Sequence, residues 1–192
     1  MSILVFATNN ANKVAEIRNA TDGLFNIITL KEAGIDIDIP EPHDTLEANA
    51  TEKSMVIYQM TGQDCFSEDT GLEVEALNGE PGVKSARYAG NDRDFDGNIN
   101  KLLENLKGHA NRNARFRTVI SLMQNGKEYL FEGICPGKII EDKRGQNGFG
   151  YDPVFIPNGS NLTFAEMNME QKNQFSHRKK AVEKLLHFLK NN

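Results

Sequence analysis

The dipeptide Asn125-Gly126 constrains the fold of this 192-residue chain more than any other feature, because it predicts a tight β-hairpin. Two runs rich in apolar residues flank it, from Arg115 to Gln124 and from Lys127 to Ile134. A two-residue type I′ turn needs positive φ at both central residues, and Asn followed by Gly adopts that conformation readily. Any sheet that the chain builds must therefore contain antiparallel neighbours.

The rest of the chain alternates between strand and helix patterns. Short apolar runs predict strands at Ile3 to Ala7, Phe25 to Leu30 and Asp64 to Ser67. Capping residues and helical spacing predict helices from Asn9 or Asn10 to about Asp22, from Thr45 onward, from Phe95 to Leu106 and from Ser176 to about Leu189. The expected inward-facing residues of the first, second and last helices are Val14, Ile17, Thr21 and Leu24; Leu46, Ala50, Ile57 and Met60; and Val182, Leu185, Leu186 and Leu189. This order predicts an α/β protein with a mixed sheet flanked by helices, in a single domain over residues 1–192.

Composition indicates a soluble globular protein, since 39% of the residues are hydrophobic and 26% are charged. No apolar run approaches the roughly 18 residues that span a membrane, and the first ten residues lack the basic start of a signal peptide. The two cysteines, Cys65 and Cys135, fit a reducing cytoplasm better than a disulfide scaffold or a structural zinc site. The net charge of −5 argues against polymeric nucleic acid as a partner, although a few local cations suffice for a small phosphorylated ligand.

Two lysines lie where a phosphate can be bound. The stretch "FATNNANK" is a strand, a polar turn and a helix start that ends at Lys13, and helix N-termini attract anions. In the second helix, Thr45, Asn49 and Lys53 fall in one i, i+4 row beside the apolar stripe. A capped helix with a solvated Lys13, and a Lys53 whose stem lies along apolar surface, explain the same patterns without a ligand.

Paired acids occur in the stretch "SEDTGL", at what the pattern predicts is the end of a short strand. With the distant Glu41, Glu68 and Asp69 are candidate ligands for a divalent ion, because Mg²⁺ takes one or two carboxylates together with waters and phosphate oxygens. A solvated turn is the alternative for an isolated Glu-Asp pair.

Two C-terminal segments are candidates for binding a base. The stretch "NGFGYDP" sets Phe149 and Tyr151 beside glycines, where a ring face can be exposed for stacking, and Asp152 can accept hydrogen bonds from ring N–H groups. A turn with a buried aromatic plug is the alternative. In "FSHRKKA", His177 and Arg178 lie in a first helical turn, where basic residues are mildly unfavourable to the helix dipole.

Together these segments resemble the inosine triphosphate pyrophosphatase family, also called non-canonical purine NTP or dITP/XTP pyrophosphatases. "TNNANK" is similar to the family's T-G-N-x-x-K opening, and "EDTGL" with "ALNGEPGVKSARYAG" is similar to its D-[ST]-G-L…G-x-P-G-x-x-S-A-R segment. "GFGYDPVF" and "SHR" match two C-terminal motifs. The motifs come in the family's order and cover Thr8 to about Ala181.

The resemblance implies hydrolysis of ITP, dITP or XTP between the α and β phosphates, which yields the monophosphate and pyrophosphate and cleanses the nucleotide pool. It implies a Mg²⁺ cofactor, a homodimer, and an elongated α/β fold of two lobes with a central active-site cleft. Asp69 is then the catalytic carboxylate and a metal ligand, with Glu41 as the second metal contact. The implied substrate-binding residues are Thr8, Asn9, Asn10, Ala11, Asn12, Lys13, Lys53, Thr70 and Lys172 for the phosphates and sugar, and Phe149, Gly150, Tyr151, Asp152, His177 and Arg178 for the base.

Three positions depart from the family pattern: Asn9 replaces the usual glycine, Ala48 stands where an acid is common, and Glu68 replaces a common Asp. A residue other than glycine at position 9 requires negative φ, or an Asn that accepts the left-handed region. Glu47 cannot simply replace the missing acid, because one residue turns a helical side chain by about 100°. Two other hypotheses stay open: a metal-dependent nucleotide phosphatase that releases orthophosphate, and a non-hydrolytic nucleotide-binding sensor.

Overall fold

The computed structural model describes residues 3–90 and 94–191. Its strands are β1 (Ile3–Phe6), β2 (Asn26–Thr29), β3 (Cys65–Val74), β4 (Pro81–Gly82), β5 (Asn113–Gln124), β6 (Lys127–Ile139) and β7 (Phe155–Pro157). Its α-helices are α1 (Ala11–Thr21), α2 (Leu46–Thr61), α3 (Phe95–Asn105), α4 (Met169–Asn173) and α5 (His177–Asn191). Over this part of the chain, the strands form one sheet in the order β2-β1-β3-β5-β6-β7, with β4 paired to β3.

The sheet is mixed, as the sequence predicts. β1 pairs in parallel with β2 and β3, whereas β4 is antiparallel to β3 and β7 is antiparallel to β6. β5 and β6 are neighbours joined by Asn125 and Gly126, whose φ values of 50° and 76° are both positive. The hairpin at this dipeptide and the mixed α/β class are therefore confirmed.

Polar caps begin the two helices that follow the first predicted loops. Asn10, in an extended conformation, caps α1 by accepting hydrogen bonds from the N–H groups of Asn12 and Lys13. Thr45 caps α2 by accepting one from the N–H of Ala48. Both helices therefore start within a residue or two of where the sequence predicts, because a cap is a local interaction.

Most of the residues expected to face inward are buried, but two are exposed. Leu24 is 48% exposed, because α1 ends at Thr21 and does not reach it. Met60, in the last turn of α2, is 57% exposed. The expected stripe of α5 is confirmed, with Val182, Leu185 and Leu186 buried and Leu189 packed against the same apolar cluster.

β3 is longer than predicted, and this changes the surroundings of the paired acids. The sequence predicts a strand that stops at Ser67, whereas β3 continues to Val74 and places Glu68 and Asp69 in its middle. Most positions of β3 are buried, so its side chains do not alternate between a polar and an apolar face. A solvated turn at the two acids is therefore wrong, and both acids take part in the ion pairs described below.

Two glycines allow β3 and β4 to approach closely. A Cβ atom added at Gly71 would lie 2.6 Å from the carbonyl oxygen of Gly82, whose neighbour across the strand pair is Leu72. Gly82 itself has a φ of 52°, in the region that favours glycine. The glycines of "DTGL" and "GEPG" thus meet backbone to backbone.

The chain divides into two compact units, each with its own apolar core. The first comprises Met1–Asp69, Thr118–Gly133 and Arg178–Asn192, and the second comprises Thr70–Arg117 and Ile134–His177. In the first, Phe6 stacks on Phe66 with ring centroids 4.5 Å apart. In the second, Phe116, Phe155 and Phe164 pack together. The expectation of a single domain over the whole chain stays a prediction.

Among the described residues, no helix has the length and apolar character needed to cross a membrane.

Candidate active site

The two neighbouring acids of β3 contact different partners in the first unit. Successive side chains of a strand point to opposite faces, so Glu68 and Asp69 cannot share one environment. Glu68 lies 2.8 Å from the ammonium of Lys13 on α1 and 2.8 Å from the guanidinium of Arg178 on α5. Asp69 lies 3.5 Å from the ammonium of Lys53 on α2. The strand thereby supplies one carboxylate to each of two neighbouring sets of ion pairs.

Arg178 is held by two carboxylates. Its Nε and Nη2 donate to Glu68 at 2.8 and 3.2 Å, and its Nη1 donates to Glu16 on α1. All three residues are buried, and buried charges need this kind of pairing. Glu16 is not among the residues predicted from the sequence. Its position next to Ile17, which belongs to the inward-facing stripe of α1, is the signal that marks it as a candidate.

The charges of this buried group support one another. Burial by itself acts to raise the pKa of Glu68, but the nearby Arg178 and Lys13 outweigh it and hold that pKa well below its usual range. Burial acts to lower the pKa of Arg178, but Glu68 and Glu16 outweigh it and raise that pKa. Two carboxylates and two cations leave this group with no net charge.

The group around Lys53 is not balanced in the same way. Its ammonium lies 2.5 Å from Glu41 Oε1 and 3.5 Å from Asp69 Oδ1, so two carboxylates share one cation. Burial raises the pKa of Asp69, and the opposing effects of Lys53 and Lys13 do not cancel this. Burial acts to lower the pKa of Lys53, but Asp69 and Glu41 outweigh it and raise that pKa. These contacts place two carboxylates beside one ammonium.

These carboxylates fit a magnesium ion. Within residues 3–90 and 94–191, no three or more His, Cys, Asp and Glu side chains gather as a metal-binding cluster. Mg²⁺ needs no such cluster, because one or two carboxylates are completed by waters and substrate phosphates. Glu41 and Asp69 would supply oxygen ligands, and the raised pKa of Asp69 indicates a buried carboxylate that a nearby cation would stabilise.

The turn between β1 and α1 contains the residues predicted to contact phosphate. Thr8 Oγ1 accepts a hydrogen bond from the N–H of Asn10 at 3.1 Å. The φ of Asn9 is not positive, so a residue other than glycine is accommodated here, and its Nδ2 donates to the carbonyl of Ile37 at 3.1 Å. The cap made by Asn10 uses two N–H groups at the start of α1. The Lys13 ammonium forms an ion pair with Glu68. Two further members of the turn, Ala11 and Asn12, are exposed.

A second group of predicted residues meets in the second unit. Asp152 Oδ2 accepts from the N–H of Phe149 at 3.0 Å and from Lys172 Nζ at 2.5 Å. The same ammonium lies 5.4 Å from the centroid of the half-buried Phe149 ring. Gly148 has a φ of 72°, and a Cβ atom there would clash with the Asp152 carboxylate, so glycine is required for this contact. Acid, cation and aromatic ring are thus side by side.

Three other residues predicted to contact substrate have different surroundings. Tyr151 is the buried aromatic plug of the loop, since its hydroxyl donates to the carbonyl of Ser85 at 2.8 Å and burial raises its pKa. His177 is buried with its ring stacked on Phe116, the centroids 4.7 Å apart. Thr70 is half-buried in the middle of β3.

Comparisons with known proteins identify relatives of this chain. A model of the Ham1 family matches residues 4–188. The chain belongs to the Ham1 family. A protein named dITP/XTP pyrophosphatase from Flavobacterium johnsoniae is 52% identical over 186 residues, which cover 97% of each chain. One of the same name from Flavobacterium psychrophilum is 50% identical over 188 residues, 98% of this chain and 99% of that one. A solved Ham1 protein from Coxiella burnetii is 36% identical, covers 100% of both chains and has a TM-score of 0.91.

These matches confirm the resemblance that the four motifs indicate. They extend over nearly the full chain and are not confined to the motifs. The high TM-score also confirms that this sequence adopts the mixed α/β fold of a Ham1 protein.

The Glu68–Arg178 pair should matter far more to stability than an exposed pair of the same chemistry. Glu68→Gln leaves the buried Arg178 guanidinium under-compensated, and breaking a buried pair in this way costs roughly 3–5 kcal/mol. Urea denaturation of the two proteins measures the loss. Arg18 and Glu32 form the matched control, because they lie 2.6 Å apart but are about half exposed, at 45% and 47%. Glu32→Gln should leave stability nearly unchanged, and equal losses in the two variants would contradict the role assigned to Glu68.

Proposed function

We propose that this protein hydrolyses ITP, dITP and XTP to the monophosphate and pyrophosphate, and so removes these nucleotides from the cellular pool. The observation that carries the proposal is the group of Glu41, Lys53 and Asp69, which brings two carboxylates, the ligand type that a divalent cation takes, to one ammonium. The names of the relatives support the choice of substrate, because several are called dITP/XTP pyrophosphatase at 50–52% identity.

In this proposal Glu41 and Asp69 hold Mg²⁺, which supplies positive charge to the phosphates when it is bound. Asp69 takes a proton from a water whose oxygen attacks the α-phosphorus. The bond from that phosphorus to the oxygen bridging to the β-phosphate breaks, and pyrophosphate leaves with the electron pair. The position of Asp69 supports this role, because its buried carboxylate lies 3.5 Å from the Lys53 ammonium, which helps to keep it ionised and able to accept a proton. Lys13 and Lys53 contribute charge that attracts the phosphate oxygens.

We propose that Phe149, Asp152 and Lys172 receive the base. Hypoxanthine and xanthine present an acceptor at C6 and a donor at N1, whereas adenine presents the reverse. An ammonium beside a carboxylate offers the complementary donor and acceptor. The Phe149 ring supplies a stacking surface. Thr8 to Asn12, Thr70, Gly150, Tyr151, His177 and Arg178 stay proposed substrate-binding residues on the strength of the family resemblance.

We also propose a cytoplasmic homodimer that does not act on polymeric nucleic acid. Both cysteines are free and buried, and burial raises the pKa of the Cys65 thiol to about 12, so this thiol stays protonated and unreactive. Free thiols support a reducing compartment. Light scattering on the purified protein measures the number of subunits.

Product analysis tests the reaction class. Incubation of the protein and Mg²⁺ with ITP, XTP, dITP, GTP and ATP should yield monophosphate and pyrophosphate from the first three, and chelation of Mg²⁺ should abolish the reaction. Release of orthophosphate would identify a nucleotide phosphatase. Tight nucleotide binding with no turnover would identify a sensor.

Asp69→Asn should inactivate the enzyme and yet stabilise the fold at high pH. The amide cannot take the proton, and general-base catalysis contributes roughly 10²–10⁴-fold to the rate. Because burial raises the pKa of Asp69 above its unfolded value, ionising it costs stability that protonation restores at low pH. The variant should therefore have a higher Tm than the wild type at pH 8, and the gap should close toward pH 4. The exposed Asp142→Asn is the control. Activity above about a tenth of wild type would refute the catalytic role of Asp69.

Phe149→Ala should weaken ITP and GTP about equally, because stacking accepts any purine and contributes roughly 1–3 kcal/mol per base. Measuring kcat/KM for ITP, GTP and ATP checks this, and a loss confined to ITP would contradict stacking.

The variant Arg178→Ala, measured with the same substrates, separates two possible roles of Arg178. A contact with the C6 oxygen predicts a narrower ITP-to-ATP ratio, whereas charge balance on Glu68 predicts an unchanged ratio with lower stability. The contacts of Arg178 with Glu68 and Glu16 favour the second result.

A further inference from the structure

Glu41 lies in an irregular segment, although its carboxylate must be placed accurately. Residues 35–45, between β2 and α2, contain neither helix nor strand. Pro40 and Pro42 flank Glu41, so both neighbouring positions lack a backbone N–H, and a residue before proline is restricted to extended conformations. The segment around Glu41 is therefore stiff but contributes few backbone donors of its own. Its position depends on how its two ends are attached.

Asn49 attaches the end that follows Glu41. Its Oδ1 accepts a hydrogen bond from the N–H of His43 at 2.9 Å, and its Nδ2 donates to the carbonyl of the same residue at 3.1 Å. Both backbone groups of His43 are thereby satisfied by one side chain. Asn49 is 1% exposed, and a buried carboxamide is costly to leave without these bonds.

The same helix sets both the attachment and the ion pair. Asn49 and Lys53 are four residues apart on α2, so they lie one above the other on one face of the helix. Lys53 Nζ contacts Glu41 at 2.5 Å, while Asn49 holds the chain two residues further on. The rigid spacing of one helical turn therefore fixes where Glu41 meets Lys53.

Asn9 attaches the end that precedes Glu41. Its Nδ2 donates to the carbonyl of Ile37 at 3.1 Å, in an exposed hydrogen bond. A glycine at this position would lack the bond. The Glu41 segment is thus held on both sides, firmly by the buried Asn49 and weakly by Asn9.

We propose that Asn49 is a positioning residue for the Glu41 carboxylate and thereby sets the affinity of the Glu41–Asp69 site for a divalent cation. The inference rests on the proposed function, because it assumes that this site binds the metal. Residues that orient a ligand from behind typically affect metal affinity by 10–100-fold. Asn49 acts through the backbone, so we expect the lower end of that range.

The experiment measures metal binding directly as well as turnover. Titration of wild type and Asn49→Ala with Mn²⁺, followed by the paramagnetic resonance of the free ion, should give about 10-fold weaker binding in the variant. The Mg²⁺ concentration for half-maximal ITP hydrolysis should rise by a similar factor. At saturating Mg²⁺, kcat should stay within about threefold of wild type, because the catalytic carboxylate is untouched.

Ser54→Ala is the matched control. Ser54 is also buried on α2, and its hydroxyl bonds to Ser121 and to the carbonyl of Thr51 without touching the Glu41 segment. This variant should lose stability while its Mn²⁺ affinity is unchanged. Asn49→Ala with wild-type Mn²⁺ affinity and a loss of stability like that of Ser54→Ala would overturn the proposal.

Asn9→Gly keeps the test decisive if Asn49→Ala does not fold. Asn9 is exposed, so its replacement should leave folding intact and weaken Mn²⁺ binding in the same direction by a smaller factor. No change in affinity would then overturn the inference. Mn²⁺ binding is measured without substrate. Its result therefore tests the role of Asn49 separately from the proposed reaction. A wild type that binds Mn²⁺ but releases orthophosphate would refute the proposed function. The Mn²⁺ affinities of the variants would still decide the role of Asn49.

Discussion

The buried guanidinium of Arg178 is the contact on which the first unit depends most. It joins three elements, because α5 supplies the cation and β3 and α1 supply the carboxylates of Glu68 and Glu16. With Lys13 it balances the charge of both acids, and the pKa of Glu68 stays well below its usual range. Burial raises the pKa of Asp69, the next residue along the strand, and the nearby Lys53 and Lys13 do not cancel this effect. A strand that turns adjacent side chains to opposite faces thus separates the acid paired with Arg178 from the acid that we propose is catalytic.

Much of the fold and part of the site are encoded in short stretches, and these are the features that the sequence predicts well. The turn at Asn125-Gly126 depends on two adjacent residues with positive φ. The cap of α1 involves Asn10 and N–H groups two and three residues away. The family motifs are similarly compact. Asp152 lies within its own loop motif, and its bond to the N–H of Phe149 spans three residues.

What the sequence does not reveal depends on contacts between distant residues. The bonds from Arg178 to Glu68 and Glu16 span 110 and 162 residues, and without them a polar stretch such as "SEDT" is typical of a turn. The length of β3 and the importance of Glu16 follow from these pairings. The sequence also leaves open whether the Tyr151 ring is exposed or buried. Its partner Ser85 lies 66 residues away, and that contact distinguishes the two cases.

The close approach of Gly71 and Gly82 has a consequence for exchanging segments between relatives. A side chain at position 71 would have no space unless the backbone of β4 moved away, and β4 is short. Grafting the "DTGL" stretch of another protein into this chain is therefore safe only where its glycine is retained, or where the "GEPG" stretch travels with it. Since "DTGL" begins at Asp69, a chimera that lacked this pair of glycines would shift the strand bearing the carboxylate that we propose is catalytic.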